Sequence, residues 1–143
     1  MTIAIGNDHT GTEYKNLIVD YLTKQGFTVV NYGTDHEDSV DYPDFVHPVA
    51  QSIDKQTADF GILICGSGNG VSMTANKYQN VRAALCWNTE LTELARSHNN
   101  ANIISLPARF ISKDDSIEMI KTFISTSFEA GRHQRRVEKI KIS

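Results

Sequence analysis

A cysteine opens the most unusual segment of this chain, Cys65-Gly66-Ser67-Gly68-Asn69-Gly70. Three glycines let backbone N–H groups approach an anion or oxyanion, aided by a following helix N-terminus. A tight strand-to-helix turn is the plainer use of the same glycines. No Lys-Ser/Thr follows Gly70, so this is not a nucleoside-triphosphate loop, and the spacing is not the dinucleotide fingerprint. A thiol at a helix N-terminus has a lowered pKa and can serve as base or nucleophile. Its alternative is a small buried apolar residue at a strand end, which is our expectation for Cys86, since no glycine turn follows it.

Three further polar clusters could join it. Asp8-His9 suits acid/base work or hydroxyl binding; equally, it reads as a capping Asp with a surface His. His98-Asn99-Asn100 offers the same chemistry, or a polar helix stop. In Gly131-Arg132-His133-Gln134-Arg135-Arg136, Arg132 and Arg136 stand four apart and share a helix face. Two guanidinium forks on one face suit a phosphate; a solvated basic helix is the alternative. His36 and His47 read as surface or capping residues, and Trp87 as packing.

These residues sit between alternating apolar runs and amphipathic helices. Thr2–Gly6, Phe27–Asn31, Phe60–Ile64, Val81–Cys86 and Asn102–Leu106 read as strands. Between them Tyr14, Leu17, Ile18, Tyr21 and Leu22 mark one helix, closed by Gly26, and Phe45, Val46, Val49, Ala50 and Ile53 a second. Pro43 and Pro48 blur where that second helix begins. A helix should follow the glycine turn to about Tyr78. Asn88 should cap the next one, and Ser112 with Asp115 resembles a capping box for the one after. A short basic helix should close the chain after Gly131. Five strands alternating with helices predict a three-layer αβα sandwich with a five-stranded parallel sheet, Rossmann-like or flavodoxin-like, of order 2-1-3-4-5. Ligands of such sheets bind outside the strand carboxyl ends at the switch point, here after strands 1 and 3. The glycine turn, Asp8-His9 and His98-Asn99-Asn100 are expected at or beside strand carboxyl ends.

Length and composition narrow the classes. The 143 residues fit one domain, spanning 1–143, with a core large enough to need no disulfide or metal staple. Hydrophobic residues at 40% and charged ones at 22% argue against intrinsic disorder. The net charge of −3 hides a segregation: residues 132–143 hold five basic residues and one acid (+4), the other 131 hold 9 basic and 16 acidic (−7). The acidic body and the lack of interleaved aromatics argue against nucleic acid. No apolar run suits a membrane span and no signal-peptide layout opens the chain. The two cysteines lack metal-ligand spacing, so a cytoplasmic location is expected.

In combination the motifs resemble a known family. GNDHTG (Gly6–Gly11), DYPDF (Asp41–Phe45), ICGSGNG (Ile64–Gly70), ANK (Ala75–Lys77), HNNAN (His98–Asn102) and GRHQRRV (Gly131–Val137) are similar, in this order and over essentially the whole chain, to the ribose-5-phosphate isomerase B family, which also holds galactose-6-phosphate isomerase subunits. That resemblance implies interconversion of ribose 5-phosphate and ribulose 5-phosphate without metal or organic cofactor. It implies Cys65 as the base and Ser67 as proton relay. Backbone N–H groups of Gly66, Gly68, Asn69, Gly70 and Val71, with Asn99, would form the anion hole. His98 and Asp8 would open the furanose. His9, Arg132 and Arg136 would grip the phosphate with help from Arg109, and Tyr42 would line the pocket. The site is expected at a homodimer interface, with dimers able to pair into tetramers and the basic tail 131–143 reaching the partner's pocket. Some members carry a glutamate base where this chain has Val71, which cannot take a proton; the cysteine-base subgroup is therefore implied. Ala130 replaces a glycine of the family's tail motif, at a position where positive φ would matter.

Two other classes compete with this reading. A hexose phosphate isomerase, for allose 6-phosphate or galactose 6-phosphate, differs only in pocket depth. A phosphate receiver needs an acid where Cys65 stands and a lysine where Leu106-Pro107 stands. A flavodoxin-like binder needs a phosphate loop where Asp8 would repel the anion.

Overall fold

A computed structural model describes residues 1–142. Five parallel strands form one sheet: β1 (Thr2–Asn7), β2 (Thr28–Asn31), β3 (Phe60–Cys65), β4 (Ala83–Leu85) and β5 (Ile103–Pro107). Helices α1 (Thr12–Lys24), α4 (Thr89–Ser97) and α5 (Lys113–Ser125) cover one face, and α2 (Tyr42–Asp54) and α3 (Asn69–Ala75) the other. A short α6 (Arg132–Glu138) ends the fold. Ile3, Ile5, Ile62, Ile64, Ile104 and Leu106 point to the first layer with Ile18, Leu22 and Phe123. Ala4, Leu63 and Ile103 point to the second with Val46, Val49 and Val71. That alternation is the period-two geometry of a strand buried on both faces. Among the described residues no helix is long and apolar enough to cross a membrane.

The three-layer class is as expected, but the strand order is 2-1-3-5-4 rather than 2-1-3-4-5. Burial explains the exchange. Every residue of β5 is buried, whereas the three residues of β4 are only half-buried. A strand apolar on both faces belongs inside the sheet, and the short one goes to its edge. The reversal between β1 and β3 is unaffected.

Local signals mostly hold. Asn88 Oδ1 accepts from Leu91 N (2.8 Å) and Ser112 Oγ from Asp115 N (3.0 Å), so both predicted caps form. Pro43 lies in the first turn of α2, while Pro48 sits inside it, and the helix continues to Asp54. α3 stops at Ala75, short of Tyr78, because the Asn76 amide turns to pair with Ala83, donating to its carbonyl (3.0 Å) and accepting from its N–H (2.8 Å). Trp87 does not pack: it follows the edge strand, past the core, and is exposed.

Candidate active site

The glycine turn begins where β3 ends. Cys65 is buried, and its Sγ accepts a hydrogen bond from Gly68 N at 3.1 Å. Gly68 has φ +76, the left-handed region that glycine enters without a Cβ penalty. This conformation turns the chain sharply enough to aim an N–H back at the sulfur. Ser67 and Asn69 face solvent, with Asn69 N donating to Ser67 Oγ (3.3 Å), while Val71 is fully buried under α2. A thiolate held by the Gly68 N–H at a strand end can take a proton from a bound carbon acid, and the resulting thiol can return it to the carbanion.

The same edge of the sheet collects Asp8, His9, Tyr42 and Arg109. Asp8 N donates to Ile64 O (3.1 Å), which ties the end of β1 to that of β3. Asp8 Oδ1 caps the turn at His9–Gly11, accepting from Thr10 N (2.9 Å), and Oδ2 has no partner among the described residues. The capping reading and the hydroxyl-binding reading thus use different oxygens. His9 Nδ1 accepts from Val40 N (3.2 Å), which leaves the proton on Nε2 for an anion. The Tyr42 ring overlies Gly70 so closely that a Cβ there would lie 2.4 Å from Cζ. Arg109 N donates to Gly66 O (3.0 Å), and its side chain lies along Gly66.

His98 and Asn99 are elsewhere, contrary to the expectation that their loop lies at or beside the carboxyl ends, and Arg132 and Arg136 lie with them. α4 runs antiparallel to the strands, so its C-terminus returns to their amino ends. Asn102 O accepts from Gly61 N (2.9 Å), and Arg82 O accepts from Asn102 N (3.0 Å), which places the His98–Asn102 turn at the start of β3 and β4. The six residues of β3 separate the two edges by about 17–20 Å. The tail joins the His98 cluster. Glu129 N donates to Ser97 O (3.0 Å), and the His133 ring stacks on His98 at 4.1 Å. Desolvation, His98 and Arg132 together hold His133 below the usual histidine range. Arg132 and Arg136 lie exposed on adjacent turns, with Arg136 Nη1 on Arg132 O (3.1 Å). Ala130 has φ +56 and Gly131 +50, so the alanine at the departed glycine position occupies left-handed space. A groove of about 420 Å³ beside α3 and the tail includes Asn99 and Ile140 but none of the thiol loop.

His98, Glu129 and His133 place ligand atoms within 4.8 Å of one another. With the two rings stacked 4.1 Å apart at 16°, each nitrogen lone pair lies in one of two nearly parallel, separated planes, so the pair does not aim at one ion. Cys86 is the buried, inert thiol expected; burial pushes it up to about 11. His47 binds the Tyr78 hydroxyl, and His36 O accepts from Thr12 Oγ1.

Sequence reasoning missed the supports. Lys15, fully buried on α1, pairs with Asp35 and draws that carboxyl below its usual range. This pairing pins the loop that presents Val40 N to His9. The signal was available: Lys15 occupies the buried stripe with Ile18 and Leu22. Asn7 is likewise buried, and its Nδ2 bonds Asp8 O, Thr12 Oγ1 and Thr34 O.

Comparison with known proteins agrees with this geometry. Residues 3–140 match the Ribose/Galactose Isomerase family. The Thermotoga maritima ribose 5-phosphate isomerase structure is 48% identical, with a TM-score of 0.96 over 99% of this chain and 98% of that one. A Mycoplasma genitalium ribose-5-phosphate isomerase B, solved with bound ribulose-5-phosphate, is 43% identical, with a TM-score of 0.94 over 97% of this chain and 93% of its own. The Escherichia coli ribose-5-phosphate isomerase B is 36% identical over 138 residues, 96% of this chain and 93% of that protein. With the thiol loop at the switch point and likeness along nearly its whole length, this chain belongs to the Ribose/Galactose Isomerase family.

Proposed function

We propose that this chain is a cytoplasmic aldose–ketose isomerase that interconverts D-ribose 5-phosphate and D-ribulose 5-phosphate without a cofactor. The observation that carries the reading is the Cys65 thiol, seated at the switch point under the Gly68 N–H, with an apolar Val71 where a glutamate base would otherwise stand.

The chemistry divides among the residues as follows. His98 gives a proton to the furanose ring oxygen while Asp8 Oδ2 takes the anomeric hydroxyl proton, and the sugar opens. The Cys65 thiolate removes the proton on C2; the C2–H bond breaks and its electrons form the enediolate. Backbone N–H groups of Gly66 to Val71, with Asn99, stabilise the developing oxyanion. Ser67 moves a proton between O1 and O2, and the thiol returns its proton to C1. His9, Arg132 and Arg136 hold the phosphate, Arg109 adds charge, and Tyr42 walls the pocket.

In one chain these groups lie at opposite edges of the sheet, so the site is complete only in a homodimer. Cys65, Asp8 and His9 then come from one protomer, and His98, Asn99, Arg132 and Arg136 from its partner. The testing experiment compares turnover of ribose 5-phosphate and allose 6-phosphate by the purified chain. We expect a strong preference for the pentose; preference for the hexose overturns the substrate assignment.

A further inference from the structure

We propose that Arg96 is a positioning residue for the reaction above: its guanidinium sets the turn that carries His98 and Asn99 and locks that turn to the start of the tail bearing Arg132 and Arg136. The proposal rests on the isomerase reading and adds a residue that touches no substrate.

Arg96 lies on the last turn of α4, two residues before His98, and is buried. Its Nη1 donates to Asn100 Oδ1 (3.0 Å) and Ala101 O (2.6 Å), and its Nε to Thr126 O (3.3 Å). One planar fork thus spans the His98 turn and the exit of α5, which leads into Glu129 and α6. The guanidinium is itself fixed from below, 4.8 Å from the Phe60 ring centroid and 5.7 Å from that of Phe123. Arg82 completes the clamp: its Nε donates to Asn100 O (2.8 Å) and its backbone N to Asn102 Oδ1 (2.7 Å). Asn100 is therefore held by both its side chain and its carbonyl, at φ +48, a conformation that asparagine tolerates but rarely adopts without support.

The charge arrangement argues that the fork is there for geometry. Neither guanidinium forms an ion pair among the described residues. Two cations share one half-buried region, satisfied only by carbonyls, an amide and ring faces. Burying charge without a counter-ion is costly, and a bare ammonium could not reproduce the bonds. Three acceptors in two chain segments, all met by one rigid donor set, fix where His98 points relative to the tail.

The test is a double-mutant cycle with Arg96→Lys, which keeps the charge and loses the fork. Ribose 5-phosphate turnover is measured for the wild type, Arg96→Lys, His98→Ala and the double variant, with melting curves and dimer mass for each. In the wild-type background Arg96→Lys is expected to lower kcat/KM at least about tenfold, the scale of a misplaced catalytic group. In the His98→Ala background, where the share of the loss that acts through His98 is already gone, the same change is expected to cost at least about threefold less, the remainder acting through Asn99 and the tail arginines. Equal factors in the two backgrounds, or no loss in the first, overturn the proposal. If Arg96→Lys does not fold, Asn100→Gly takes its place: glycine accepts φ +48 and removes the Oδ1 acceptor, while Asn100→Asp, which retains it, should restore activity. Failure of the isomerase reading shows separately, as a wild-type chain inactive on ribose 5-phosphate.

Discussion

Mixing two impaired variants should restore a defined fraction of activity. Cys65→Ala removes the base at the carboxyl edge of the sheet, and His98→Ala removes the ring-opening group at the amino edge. About 17–20 Å of strand lies between those edges, too far for one chain's side chains to meet over a pentose. If each site draws one edge from each protomer, random pairing of equal amounts gives about half heterodimers, and each heterodimer holds one intact site and one doubly defective site. The expected activity is about one quarter of wild type per chain. The assay is ribulose 5-phosphate formation after the two variants are co-refolded from urea, with differently tagged copies confirming exchange. Refolding each variant alone supplies the baseline. Activity that stays at the baseline, despite confirmed heterodimers, refutes the cross-subunit argument and requires a single-chain path from His98 to Cys65.

Gly68→Ala should destabilise by about 1–2 kcal/mol, mainly from the left-handed φ. The new Cβ would lie 2.4 Å from Leu85 Cδ1, a side-chain tip that can turn away. Urea unfolding reads the stability, and activity should fall further than stability does, since the N–H on Cys65 Sγ is re-aimed. Arg132→Ala should raise KM for ribose 5-phosphate about 10- to 100-fold, the worth of one charge-assisted phosphate contact, with kcat less affected; an unchanged KM removes Arg132 from the phosphate site. Cys86 should resist iodoacetamide in the folded chain at pH 8, because its thiol is pushed up to about 11, above an ordinary value of 9.0. A folded pKa above the unfolded one stabilises fully below pH 9 and is lost as pH rises through about 11. Peptide mapping after labelling, and melting temperature against pH for Cys86→Ser, check both statements.

Much of this protein was determined by local sequence. Alternating apolar runs and helical stripes dictated a parallel α/β sandwich, because period and burial are properties of a few neighbouring residues. The caps at Asn88 and Ser112 and the thiol before the glycine turn depend on contacts three residues apart, so they too were readable. The strand order was not: whether β4 or β5 lies inside is decided by how completely each can be buried against the others. Nor was the place of His98, since a helix carries its C-terminus to whichever edge its packing direction dictates. The clamp made by Arg96 joins residues 96, 100, 101 and 126, partners chosen only when α4 and α5 pack together. Residue types thus named the chemistry, and tertiary packing split it between two edges of the sheet, because strands transmit position over their whole length and side chains reach only a few ångströms.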